Sequence, residues 1–246
     1  MRLDLSAAAA EAWAMWRADR AILLPLAGLL LFVPSLAMIL FLPDVPARPP
    51  TGAGVDEMRA FNAAIIAWFR GNVLLLAPVL LVSSFGQFAV LGFYLGRHDG
   101  TLAQALVRAL ALLPRYLLAM VVSGGMVFGG LLLFILPGFY LAGRTLMVGA
   151  VIAAEPLPAL RGVERSFTIT RRQGFTLAGV WLLAVAAAQL LGQPMLLAEQ
   201  ALRAGGAANP VAIVALNLLA AAVSAGVALA FTLYQVALYR QLAAAR

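Results

Sequence analysis

The sequence predicts an all-α polytopic membrane protein, with six transmembrane helices and three cytoplasmic amphipathic interfacial helices. Three observations carry that prediction. The chain of 246 residues is 64% hydrophobic and 11% charged, with mean hydropathy +0.98. Soluble domains are about half apolar and about a quarter charged. The charges are gathered between long uncharged runs, and those runs are separated by short basic stretches of helical amphipathic pattern. No polar segment is long enough for a separate soluble domain, so residues 1–246 read as a single integral membrane domain.

Taken in order, residues 1–20 place Leu5, Ala9, Ala12, Trp13 and Trp16 on one helical face. Trp favours the headgroup region, so this is the first interfacial helix. It is not a signal peptide, because the apolar run starts only after Arg20 and no short apolar core precedes a small-residue cleavage site. Ala21–Leu42 is the first span, long enough for a hydrocarbon layer about 30 Å thick. Pro25 and Pro34 are tolerable there, where neighbouring helices can satisfy freed carbonyls. A proline-rich loop follows, then Asp56–Arg70 as a short surface helix with Phe61, Ile65, Trp68 and Phe69 on its apolar side. Val73–Gly96 is the second span, closed by Arg97-His98-Asp99-Gly100. Thr101–Arg115 is the second amphipathic helix, capped by Thr101; Leu102, Leu106, Leu110 and Leu113 are apolar, Arg108 and Arg115 polar.

Between Tyr116 and Ala154 the only charge is Arg144. That run is too long for one crossing and suits two helices joined by a turn at Leu136-Pro137-Gly138. Gly125 and Gly129 form a small-xxx-small pair, expected to let helices approach closely. Leu157–Arg172 is the third amphipathic helix, with Leu160, Val163 and Phe167 on one side. Gly174–Leu197 is the fifth span. Asn209-Pro210 starts the sixth, Asn as cap and Pro in the first turn. Offsets of 95 and then 57 residues align Ser6 with Thr101 and Pro158, and Arg20 with Arg115 and Arg172. This suggests three units of surface helix plus hairpin, 1–96, 97–155 and 156–246.

Orientation follows from arginine, which supplies all 17 basic residues. With the N-terminus inside, four of them lie outside (Arg48, Arg59, Arg70 and Arg203), Arg144 lies within the membrane, and the rest lie inside. The bias puts both termini in the cytoplasm. It also explains a net charge of +7 without nucleic acid, which is not an expected partner. Cys is absent and His98 is the single histidine. That removes disulfides, thiolate sites, Cys nucleophiles and three-His metal centres. No phosphate-cradling loop, nucleophile elbow or intramembrane carboxylate pair occurs, so no catalytic residue, metal or cofactor is assigned.

Arg144 is the sharpest signal, roughly 9 Å along the helix from Gly138 at 1.5 Å per residue. An arginine at membrane depth marks a functional site or a snorkelling side chain. Tyr140, one turn earlier, can help fix it. Gln87, Gln189, Gln193, Asn217 and Gln235 are the other polar groups in the spans. They suit interhelical hydrogen bonds or the lining of a polar path. Arg144, Tyr140, Arg165, Arg171 and Arg172 are the candidate lipid or ligand contacts, with anionic headgroups as the expected partner.

Residues 136–144, Leu-Pro-Gly-Phe-Tyr-Leu-Ala-Gly-Arg, are followed by Ala-x-Glu and by a stretch holding Val163, Ser166 and Thr170-Arg171. This resembles bacterial six-helix inner-membrane proteins, the YciC-like proteins and the related membrane domain of some glycerophosphoryl diester phosphodiesterases. Ile169 stands where that pattern has Leu. The close match covers about 40 residues. The resemblance implies an inner-membrane protein and no phosphodiesterase activity, since that chemistry belongs to a soluble domain absent here. The expected function is non-enzymatic: organising or sensing the bilayer or a membrane partner. The alternative is a small transporter or permease component with a polar site near Arg144.

Overall fold

A computed structural model describes residues 3–96, 102–155, 157–204 and 209–244. The Arg97–Gly100 turn with His98, the Thr101 cap, and Arg2 and Arg246 lie outside the described residues. Every regular element described is helical: α1 Leu5–Ala27, a wide turn of π geometry Gly28–Phe32, α2 Val33–Phe41, α3 Val55–Leu95, α4 Leu102–Leu133, α5 Ile135–Thr145, α6 Val148–Ala154, α7 Ala159–Ile169, α8 Gly174–Ala204 and α9 Pro210–Ala244. Six stretches are long and apolar enough to cross a membrane, and the chain is a multi-pass membrane protein.

The surface helix and first span run on in α1, but Asp19 leaves helical geometry at φ −113°, ψ 17°, so the two parts meet at a bend. Asp4 caps α1, accepting from the Ala7 N–H at 2.9 Å. That bond, with the Ser6 hydroxyl, holds the Asp4 carboxyl below its ordinary pKa. The π turn precedes Pro34, which lacks an N–H and would crowd the carbonyl four residues back in a regular helix. The first part of α1 is tied to the far end of the chain. Arg240 donates to Glu11 at 2.8 Å and to the Tyr94 carbonyl at 3.1 Å, and the Tyr94 hydroxyl donates to Asp19 at 2.8 Å. Asp4 and Gln241 exchange two further bonds.

Two expected boundaries are absent. Residues 56–70 do not form a separate surface helix; they are the first part of α3, 41 residues long. At about 1.5 Å per residue this helix is about twice the hydrocarbon thickness, so its charged start projects beyond it. Residues 102–115 likewise run into the fourth helix without a break, Pro114 included. In both stretches no residue enforces a stop, and helical periodicity simply continues. The third amphipathic helix is separate: turn residues 170–173 divide α7 from α8. Asn209 accepts from the Val211 N–H at 3.0 Å and Pro210 begins α9, as the sequence predicts.

The α4–α5 turn also differs from expectation. Its pivot is Phe134, extended at φ −158°, ψ 152°, and Pro137-Gly138 lie within the first turn of α5. Proline fits there because the first helical N–H groups have no internal partner. Gly138 serves packing instead: a Cβ on it would overlap Leu131. Gly130 faces it, with a Cβ position 3.0 Å from the Gly138 Cα. The close approach therefore uses Gly130 and Gly138, whereas nothing lies within 4 Å of a Cβ placed on Gly125 or Gly129. Gly125→Ala and Gly129→Ala should leave the melting temperature unchanged or raise it, since Ala is the better helix former by up to about 1 kcal/mol. A drop of several degrees in detergent for either variant would contradict this packing.

The helices α3, α4, α5, α8 and α9 pack in a ring, each on the next. Inside one end lies α6, a seven-residue helix whose Val148, Ala150, Val151 and Ile152 are almost fully buried. It packs against α3, α4, α7 and α9. The α4–α5 tip carries the opposite character: Leu132, Leu133, Phe134, Ile135 and Leu136 are all exposed. A run of exposed apolar side chains without charge suits contact with lipid.

Candidate functional site

The segment 135–174 folds into one knot. After α5 the chain breaks at Leu146-Met147, continues as α6, turns at Glu155, and returns as α7. The direction is set by contacts at both ends: Gly162 closes on Ile152, and Ser166 reaches Arg144. Thus α7 runs back alongside α6, and its last turn lies against the last turn of α5.

Two helix ends cap one another at this point. Arg144 is 8% exposed. Its Nη1 donates to the Tyr140 hydroxyl at 3.0 Å and to the Arg171 carbonyl at 3.2 Å, and its Nη2 donates to the Phe167 carbonyl. Carbonyls in the last turn of a helix lack internal partners, and that end attracts positive charge. In return, the Arg144 backbone carbonyl accepts from Ser166 Oγ at 2.7 Å and from Thr170 Oγ1 at 3.3 Å. Ser166 and Thr170 stand four residues apart on one face of α7, so both hydroxyls reach the end of α5. The guanidinium also lies 5.5 Å from the Tyr140 ring centroid and 5.0 Å from that of Phe167. Such stacking suits a weakly hydrated planar cation. The Arg144 Nε is buried without a hydrogen-bond partner among the described residues.

Glycine makes the knot possible. A Cβ on Gly143 would overlap the Gly174 carbonyl and the Ala178 backbone nitrogen, and one on Gly174 would lie 2.6 Å from Tyr140 and 2.9 Å from Arg144. The starts of α8 and the end of α5 therefore touch backbone to backbone. Tyr140 packs on Phe175 and Phe139 on Trp181 along the same seam.

Of the five candidate contacts, the Tyr140 hydroxyl and both terminal nitrogens of Arg144 bond within the protein. Arg165 is half-buried and donates through Nε to both Glu155 oxygens at 3.0 Å. Tyr239 donates to the same carboxylate at 3.1 Å, which ties α7 to α9. Arg171 and Arg172 are exposed. An arginine among carbonyls needs no ligand, whereas Arg171 and Arg172 form no ion pair among the described residues.

The intramembrane amides divide as well. Gln189 and Gln193 are exposed on α8, and Asn217 is buried in α9. Gln87 and Gln235 both line a chamber of about 470 Å³ inside the helix ring. Gln235 Nε2 donates to the Leu146 carbonyl at 3.3 Å, at the α5–α6 break. Ser123, Thr145, Tyr116 and Trp181 also line the chamber, and sequence reasoning singled out none of them. Single hydroxyls on separate apolar helices leave no pattern to find. Arg144 does not line the chamber.

A second cavity, an apolar groove of about 780 Å³, lies between the first part of α1 and helices α8 and α9. Trp13, Trp16, Leu183, Phe231 and Tyr234 are among its walls. Among the described residues, no group of three His, Cys, Asp or Glu side chains could hold a metal ion.

No family model, no curated protein and no solved structure matches this chain.

Proposed function

We propose that this chain is a non-enzymatic bacterial inner-membrane protein that organises or senses the bilayer through its arginine-rich end. That end faces the cytoplasm in this reading, with both termini there, in keeping with the arginine bias. The observation that carries the reading is the division of labour among the arginines. Arg144, Arg165 and Arg240 bond to protein groups, while Arg17, Arg20, Arg171 and Arg172 are exposed. None of those four takes part in an ion pair among the described residues. All four sit where spans begin: two beside the Asp19 bend and two in the α7–α8 turn. Arginines at such a boundary attract anionic headgroups, at about 1 kcal/mol each. The apolar groove beside exposed Trp13 supplies room for acyl chains under the same headgroups. The YciC-like resemblance belongs to this proposal, supported by Tyr140, Arg144, Ser166 and Thr170, which converge in the knot.

The test uses the full chain in detergent micelles. Phosphatidylglycerol should raise the melting temperature more than phosphatidylcholine does, and added salt should erase the difference. The variant Arg17→Gln/Arg20→Gln/Arg171→Gln/Arg172→Gln should lose it while keeping its own melting temperature close to wild type. Equal effects of the two lipids on wild type would refute the proposal. The alternative, a small transporter or permease component with a polar site near Arg144, would use the chamber that Thr145 lines rather than Arg144 itself.

A further inference from the structure

We propose that the chamber within the helix ring binds a neutral lipid, one whose uncharged, oxygen-bearing head seats against Ser123, Gln87 and Gln235. Three polar groups ask for such a partner. The Ser123 hydroxyl is 5% exposed and has no hydrogen bond. The Gln87 amide bonds to no described residue, and Gln235 commits only its Nε2. A buried hydroxyl without a partner is costly, and native structures rarely leave one unmet. Together these groups can donate and accept, which matches an ester, carbonyl or hydroxyl oxygen.

Charge decides what kind of lipid. No Asp, Glu, Lys, Arg or His lines the chamber. A phosphate or ammonium there would be desolvated with nothing opposite it. The rest of the wall is mostly apolar and aromatic, with Trp181, Phe231 and Phe128 prominent, and the Thr145 hydroxyl there donates to its own helix. The volume of about 470 Å³ falls within the range of about 300–1,000 Å³ usual for ligand sites. It holds a compact head and the first part of a tail.

The chamber has a closed end and an open one. Gly149 and Leu146 bound it at α6, and beyond them Val148 and Val151 are fully buried. At the other end Phe128 is 64% exposed and Leu131 is 40% exposed on α4. A ligand therefore enters sideways from the bilayer, and the packed α6 makes the chamber a blind site rather than a passage. Diacylglycerol-class and quinol-class lipids share the required chemistry, an uncharged oxygen head on a long apolar tail.

Dioctanoylglycerol and a decyl-ubiquinol should each be added to the purified full-length protein in detergent. Dodecane and dioctanoyl phosphatidylglycerol serve as the apolar and charged controls. At least one neutral lipid should raise the melting temperature by several degrees, and the larger shift identifies the head class. Ser123→Ala should leave the unliganded protein as stable as wild type, because it removes a hydroxyl that bonds to nothing, yet it should cut that shift by half or more. Gln87→Leu should do the same. A dodecane shift as large as the lipid shift, no shift with either neutral lipid, or a full shift in Ser123→Ala overturns the proposal. A diazirine-bearing analogue of the better ligand gives a readout free of variants. It should label α4 and α8 at chamber residues, and labelling confined to the exposed outer belt equally overturns the site.

Discussion

Arg144→Leu should lower the melting temperature of the detergent-purified protein by roughly 10 °C, and Arg144→Lys by about half as much. The change to Leu strands the carbonyls of Phe167 and Arg171 at the buried end of α7. Each stranded carbonyl costs about 1–3 kcal/mol. Removing a desolvated charge returns part of that, so a net loss of about 3 kcal/mol is expected. At about 2–4 °C per kcal/mol for a chain of this size, the shift is near the stated value. Lys keeps the charge at the helix end but lacks a planar fork that meets two carbonyls and a phenol together. Hydrogen exchange should localise the damage, with amides of 167–173 losing protection first. Since the guanidinium bonds to protein, anionic lipid should not rescue either variant. Melting temperatures equal to wild type for both would mean that the reciprocal cap contributes nothing.

Gly143→Ala should be the most damaging single-carbon addition among the described glycines. The new methyl would meet the Gly174 carbonyl and the backbone of Ala178, neither of which can rotate away. Overpacking typically costs about 1–3 kcal/mol and exceeds this where backbone must move. Separation of α5 from α8 would also pull Tyr140 from Phe175 and disturb Arg144 beside Gly174. The expected result is a fall in melting temperature of at least about 5 °C. Gly179→Ala is the control: nothing lies within 4 Å of its added methyl, five residues after Gly174 on the same helix. Equal behaviour of the two variants would remove the backbone contact from consideration.

Much of this fold is legible in the sequence, because hydrocarbon thickness and backbone satisfaction leave few choices. Six apolar runs, the boundary at Asp19-Arg20, the separate α7 and the Asn209-Pro210 start all follow from local signals. The misplaced boundaries share one cause. Residues 56–70 and 102–115 look like surface helices by amphipathic pattern, but pattern does not say where a helix ends without a residue that stops it. Pro137-Gly138 suits both a turn and a helix start, and only the packing of Gly138 against Leu131 decides. In the knot, the arginine and its neighbour Tyr140 were visible, and the carbonyls that accept from it were not. Backbone carbonyls belong to every residue, so Phe167 and Arg171 carry no mark of their role. The hydroxyl pair Ser166 and Thr170 was the one readable trace. The chamber was less readable still, since its polar groups come from four different helices.

The reciprocal cap also constrains the order of events during synthesis. The crossing Ile135–Ala154 is the least apolar of the six, and it carries Arg144. The carbonyls that satisfy this arginine lie 23 and 27 residues later in the chain. At about 5–20 residues per second, a ribosome needs on the order of one to a few seconds to make them. During that interval Arg144 lacks the two carbonyls that later accept from it. The reciprocal cap is therefore a late contact: α5 and the start of α8 can lock together only after α7 has been made.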